Sequence, residues 1–107
     1  MRFLDTRIYS VALDVVRSSQ VLGRALPAYL ADQLRRAAAS ITLNFAEGCG
    51  KRGARDRQRF FSTARGSAYE VTAIADVAVT IGLIDPTTAA ALRDQCDHLC
   101  AMLARFR

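Results

Sequence analysis

Ser40-Ile41-Thr42-Leu43-Asn44-Phe45-Ala46-Glu47-Gly48, a glycine-punctuated basic run, then Phe60-Phe61-Ser62-Thr63-Ala64-Arg65-Gly66-Ser67-Ala68-Tyr69-Glu70 is the stretch that decides the fold. On both sides of the run, apolar residues recur at helical spacing. The connection Gly48-Cys49-Gly50-Lys51-Arg52-Gly53 is short, so the two helices it joins are expected to fold back on one another. The same stretch carries the net charge. Lys51 to Arg65 holds six basic residues (Lys51, Arg52, Arg55, Arg57, Arg59, Arg65) against Asp56, a balance of +5, while the remaining nine basic and nine acidic residues cancel. An electrostatic function is therefore sought at one end of one hairpin.

Working outward, the helix before the turn is expected from about Pro27 to Glu47, with Leu30, Leu34, Ala37, Ala38, Ile41 and Phe45 facing inward and Gly48 as a left-handed cap. The helix after it runs from about Ala54 to Ile81 and ends at Gly82. Its second half has two apolar rows, one of Val71, Ile74, Ala75 and Ala78, the other of Ala73, Val77 and Ile81. A surface helix needs one such stripe, so the second row points to burial against another subunit. A first helix spans about Asp5 to Leu22, on Leu4, Ile8, Val11, Ala12, Val15 and Val16, with Gly23 as its stop. A last helix opens with Asp85 as N-cap and Pro86 in first position, carries the seam Leu92, Cys96, Leu99, Leu103, Phe106, and ends on Arg105 and Arg107. The expected fold is one all-α domain over residues 1–107, an antiparallel up-down-up-down four-helix bundle.

At 51% hydrophobic and 23% charged residues, the chain has enough apolar side chains for a core. No apolar run suits a signal peptide or a membrane span, so a cytoplasmic location is expected. Cys49, Cys96 and Cys100 form no disulfide framework, and the single histidine, His98, lies far around the helix from Cys96, which argues against a metal site. Cys49, among cations that favour the thiolate, reads first as a bystander and second as a reactive thiol. No Glu-x-x-His pair, nucleophilic triad or phosphate loop is present, so no catalysis and no cofactor are expected.

Local rules break in three places. Arg55, Arg57 and Arg59 crowd the positive end of the third helix, relieved by Asp56 alone. With Lys51 and Arg52 they are the candidate phosphate contacts, although Arg57 points away from the face shared by Arg55 and Arg59. No exposed aromatic cluster accompanies them, so binding by shape and charge is expected. Gly66, costly mid-helix, reads as a packing site within the chain or between subunits. Finally, Asn44, Glu47, Arg65, Ser67 and Glu70 place polar groups on helical faces otherwise apolar. A hairpin centred on Lys51 sets Arg65 near Ala37, so Arg7, Arg55 or another subunit is the expected partner of Glu47, unless Glu47 caps the turn.

Taken together, Ser40-Ile41, Asn44-Phe45-Ala46-Glu47-Gly48, the basic turn, Phe60-Phe61, Ala64-Arg65-Gly66-Ser67 and Glu70 resemble the 23S rRNA-intervening sequence proteins, also called four helix bundle proteins. The resemblance spans about Arg7 to Leu103, with Phe45 where an aliphatic is usual and Gly53 where a capping Ser or Thr often occurs. That family is similar to the accessory variability protein of diversity-generating retroelements, a homopentameric barrel that works with a reverse transcriptase and binds nucleic acid through a basic surface. The resemblance implies a pentameric ring, in which the turn's charge sums to about +25. It does not settle the role: the basic turn points to binding of structured RNA or DNA, the rival is a protein-interaction scaffold such as an accessory subunit for a reverse transcriptase-like partner, and the third reading is a structural bundle with no ligand.

Overall fold

The computed structural model describes residues 2–106; Met1 and Arg107 lie outside the described residues. Among these residues there are four α-helices and no strands: α1 (Arg7–Leu22), α2 (Ala28–Cys49), α3 (Ala54–Thr80) and α4 (Pro86–Arg105). Single 3-10 turns, Phe3–Asp5 and Gly23–Ala25, precede and follow α1. No helix here is long and apolar enough to cross a membrane.

Helix boundaries follow local chemistry. Thr6 caps α1, its hydroxyl accepting from the Tyr9 amide at 3.1 Å and donating to the Phe3 carbonyl at 2.8 Å. The helix thus starts two residues later than the apolar stripe suggested, because a threonine side chain competes best for the first free amide. Asp85 caps α4, accepting from the Thr88 amide at 2.8 Å with Pro86 in first position. These hydrogen bonds hold its carboxyl below the usual aspartate range. Gly82 ends α3 with φ +79°, and two bonds close the turn: Leu83 amide to Ala78 carbonyl at 2.8 Å, and Gly82 amide to Val79 carbonyl at 3.0 Å. That arrangement satisfies carbonyls the helix would otherwise leave open.

Each helix touches two neighbours, α2 with α1 and α3, and α4 with α1 and α3. All six residues expected to face inward on α2 are buried, as are Val71, Ile74, Ala75 and Ala78 of α3 and Leu92, Cys96, Leu99 and Leu103 of α4. The core changes character along its length. Next to the α2–α3 turn it is aromatic: Phe45, Phe61 and Phe106 have ring centroids 5.3–5.7 Å apart, two of the three contacts edge-on. Towards the other end it is aliphatic, built from Val15, Leu30, Leu34 and Ile74.

Gly48 is not a left-handed cap. It is helical and buried, and α2 continues through Cys49 to an ordinary right-handed Gly50. A β-carbon at Gly48 would stand 2.6 Å from Phe61 Cε1 and 3.1 Å from the Arg57 carbonyl oxygen. The glycine lets α3 approach; it does not turn the chain. Since Phe61 is 1% exposed and its ring cannot step aside, Gly48→Ala is expected to cost about 1–2 kcal/mol net, strain outweighing the helix-propensity gain. The urea midpoint of the purified variant checks this.

Candidate nucleic-acid interface

The polar motif residues meet at the α2–α3 contact. Ser40 and Ser67 hydroxyls lie 2.8 Å apart, and the Asn44 amide donates to the Ser40 carbonyl at 2.8 Å and to its hydroxyl at 2.9 Å. Small side chains with matched donors and acceptors allow close approach without orphaned polar groups. This pairing, with Phe45 on Phe61, centres the hairpin near Gly53, two residues beyond Lys51. Arg65 accordingly sits level with Ile41, about one helical turn nearer the turn than Ala37; it is half-buried, and its charge only partly offsets the burial that pushes the Cys100 thiol up.

Glu47 does not face inward. Its exposed carboxylate pairs with Lys51 Nζ at 3.4 Å, one helical turn on, rather than with Arg7 or Arg55. The pair spans the end of α2, where a cation also suits the helix dipole. Glu70 and Gly66 are exposed, and a β-carbon at Gly66 would meet nothing within 4 Å, so no intramolecular packing explains that glycine.

The five candidate phosphate contacts fall into three settings. Arg57 lies half-buried over the Phe61 ring, 5.8 Å from its centroid, and its guanidinium reaches the Cys49 and Lys51 carbonyls at 3.4 Å. It closes the C-terminus of α2, as Arg35 does for α1 by donating to the Gln20 carbonyl at 3.1 Å. Lys51 and Arg59 flank Phe60, with their charged groups 5.3 and 5.0 Å from its centroid; Arg59 also pairs with Asp56 at 2.9 Å. Arg52 and Arg55 are exposed and make no hydrogen bond or ion pair among the described residues. They stand beside the start of α3, where Gly53 supplies no side-chain cap. The positive end of the helix, without a side-chain cap, thus lies among exposed basic residues on the solvent-facing side of the turn.

Phe60 escapes a reading based on periodicity, because it and Phe61 are adjacent and equally apolar. Only the helix phase, fixed by Phe61 against Gly48, leaves Phe60 at the surface.

Burial raises all three thiols. Cys49 is pushed up because desolvation outweighs the Arg57 charge, which favours the bystander reading over the reactive thiol. Cys96 is pushed up to about 11 by burial, with smaller effects from Thr72, Cys100 and Asp97. A thiol harder to ionise in the folded state stabilises fully below the unfolded value near 9 and loses that contribution as pH rises towards 11. Unfolding free energy is therefore expected to fall between those values in wild type, and less in Cys96→Ala; urea titrations at several pH values test this.

At the far end from the basic turn, an open groove of about 1280 Å³ runs between α1 and α4 beneath the α3–α4 connection. Val21, Leu22, Leu83, Ile84 and Leu92 line it, with Asp14 and Asp85 beside them.

A crystal structure of a protein with unknown function from the S23 ribosomal protein family of Bacteroides thetaiotaomicron has the same fold. The TM-score is 0.84 at 15% identity, covering 90% of this chain and 94% of that one. No curated protein matches significantly. The family model described as 23S rRNA-intervening sequence protein matches residues 5–105, from the turn before α1 to the end of α4. The chain belongs to the 23S rRNA-intervening sequence protein family.

Proposed function

We propose that the protein is a non-enzymatic, cytoplasmic bundle that binds structured nucleic acid by its phosphate backbone through the α2–α3 turn. One observation carries this reading: Arg52 and Arg55 stand exposed, with no partner among the described residues, at the uncapped start of α3, inside the stretch that holds the chain's entire net charge. Lys51 and Arg59 add charge beside them, and Arg57 holds the turn's shape. The test is binding of a structured RNA and a DNA duplex over a salt series, by wild type and by Arg52→Glu/Arg55→Glu. Tight, salt-steep binding lost in the variant supports the reading; binding that the variant leaves unchanged removes it.

The bundle is antiparallel, up-down-up-down, and assembles into a homopentameric ring. The pairs Ser40 with Ser67 and Phe45 with Phe61 support the first statement. The second is supported by the α3 face, where Gly66, Tyr69, Ala73, Val77 and Ile81 are all exposed while the opposite row is buried. Val77 is 46% and Ile81 53% exposed, more than an unpartnered apolar row would ordinarily keep. Val77→Glu is expected to yield monomers, measured by light scattering, with the helical circular dichroism unchanged.

A second reading, an accessory scaffold for a reverse transcriptase-like partner, is favoured by the apolar groove between α1 and α4. Val21→Glu would then abolish the complex with such a partner and leave RNA binding intact.

A further inference from the structure

We propose that Phe60 is a stacking platform for an unpaired nucleobase, so that the turn takes looped or single-stranded nucleic acid in preference to continuous duplex. The proposal rests on the reading of the turn as a phosphate site and deepens it. Phe60 is half-buried, yet it is not among the side chains packed on the core, whereas its neighbour Phe61 is 1% exposed and wholly inside. The ring contacts recorded for Phe60 are cations: Lys51 Nζ at 5.3 Å and the Arg59 guanidinium at 5.0 Å. Each cation has its own acid, Glu47 or Asp56, so neither depends on the ring for a partner.

An aromatic face held between cations suits a nucleotide. The base stacks on the ring, and the phosphates on either side meet the charges. An exposed cation–π contact is weaker than a base stacked on an aromatic side chain. A base that displaces one cation from the ring therefore gains free energy and frees that cation for a phosphate. A continuous duplex hides its base faces inside its own stack and offers this ring nothing, while its phosphates still reach Arg52 and Arg55. The strongly exposed aromatics, Tyr29 and Tyr69, lie outside the basic stretch.

The chain has no tryptophan and three tyrosines, so Phe60→Trp creates a single tryptophan at the ring that can be excited beyond the tyrosine absorption. The probes are a single-stranded oligouridylate and an RNA duplex of equal phosphate count, each followed by tryptophan emission and by anisotropy of a label on the RNA. The expected result is strong quenching by the single strand, none by the duplex, and binding of both. In wild-type background, Phe60→Ala and the volume-keeping Phe60→Leu should weaken the single strand by roughly 5- to 100-fold and the duplex by less than about twofold. Equal effects on both RNAs, or no effect on either with a silent tryptophan, overturn the stack while leaving the phosphate site standing. Failure of both RNAs to bind wild type overturns the phosphate reading and the stack together.

Discussion

Phe61→Ala is expected to remove about 3–5 kcal/mol of folding stability, a large share of the roughly 5–15 kcal/mol that holds a domain of this size together. The ring is 1% exposed and touches Phe45 and Phe106 at centroid distances of 5.7 and 5.5 Å. Its loss opens a cavity that the neighbouring helix cannot fill, because the facing residue is Gly48, which has no side chain to move in. Arg57 would also lose the ring beneath its guanidinium. The control is one residue away. Phe60→Ala has the same chemistry on the same helix, but outside the core, and should cost less than about 1 kcal/mol. Urea unfolding of the two variants measures the difference; equal costs would contradict the helix phase described above. Since Gly48 and Phe61 are in contact, Gly48→Ala with Phe61→Leu should be less harmful than the sum of the two.

The largest effect on binding is expected from Arg52→Glu/Arg55→Glu. The double change takes the Lys51–Arg65 stretch from +5 to +1. If both arginines touch duplex phosphates, the slope of log K against log salt should fall in magnitude by about 1.8 per protomer. Affinity at low salt should drop by at least an order of magnitude, with repulsion from the new carboxylates adding to the lost contacts. Stability should stay within about 0.5 kcal/mol of wild type, because both side chains are exposed and neither guanidinium has a partner among the described residues. Arg57→Ala should behave differently, lowering stability through the lost closure of α2 and affecting binding only through the turn's shape. An unchanged salt slope in the double variant would count against the turn as the binding surface.

The helix count, the buried rows and the boundaries on either side of the α3–α4 connection could be read in the sequence because each depends on local chemistry. Gly82 and Asp85-Pro86 mark ends that backbone conformation and capping alone dictate, and the α2 stripe needs only its own periodicity. Gly48 misled for the opposite reason. A glycine after a helical run has two uses, turning the chain or admitting a neighbour, and the choice rests on where Phe61 lands. Glu47 misled in another way: α2 runs on through Cys49, which turns its carboxylate outward to Lys51, four residues on in the turn just past the helix end. Among the five basic residues, the pattern separated Arg57 from Arg55 and Arg59 correctly. That Arg57 turns back onto α2's carbonyls, and that Lys51 and Arg59 gather around Phe60, depends on tertiary distances that spacing does not encode.

The molecule measures 44 × 22 × 19 Å, and the long dimension matches the roughly 40 Å that a helix of α3's length must span. The basic turn is therefore the tip of a rod whose shaft carries no net charge, and a polyanion would draw it in end-on. The tip's cross-section, about 20 Å wide, corresponds to about six nucleotides at 3.4 Å each. Protomers set upright along a duplex would crowd at about that interval, giving a site size per protomer that a saturation titration can count.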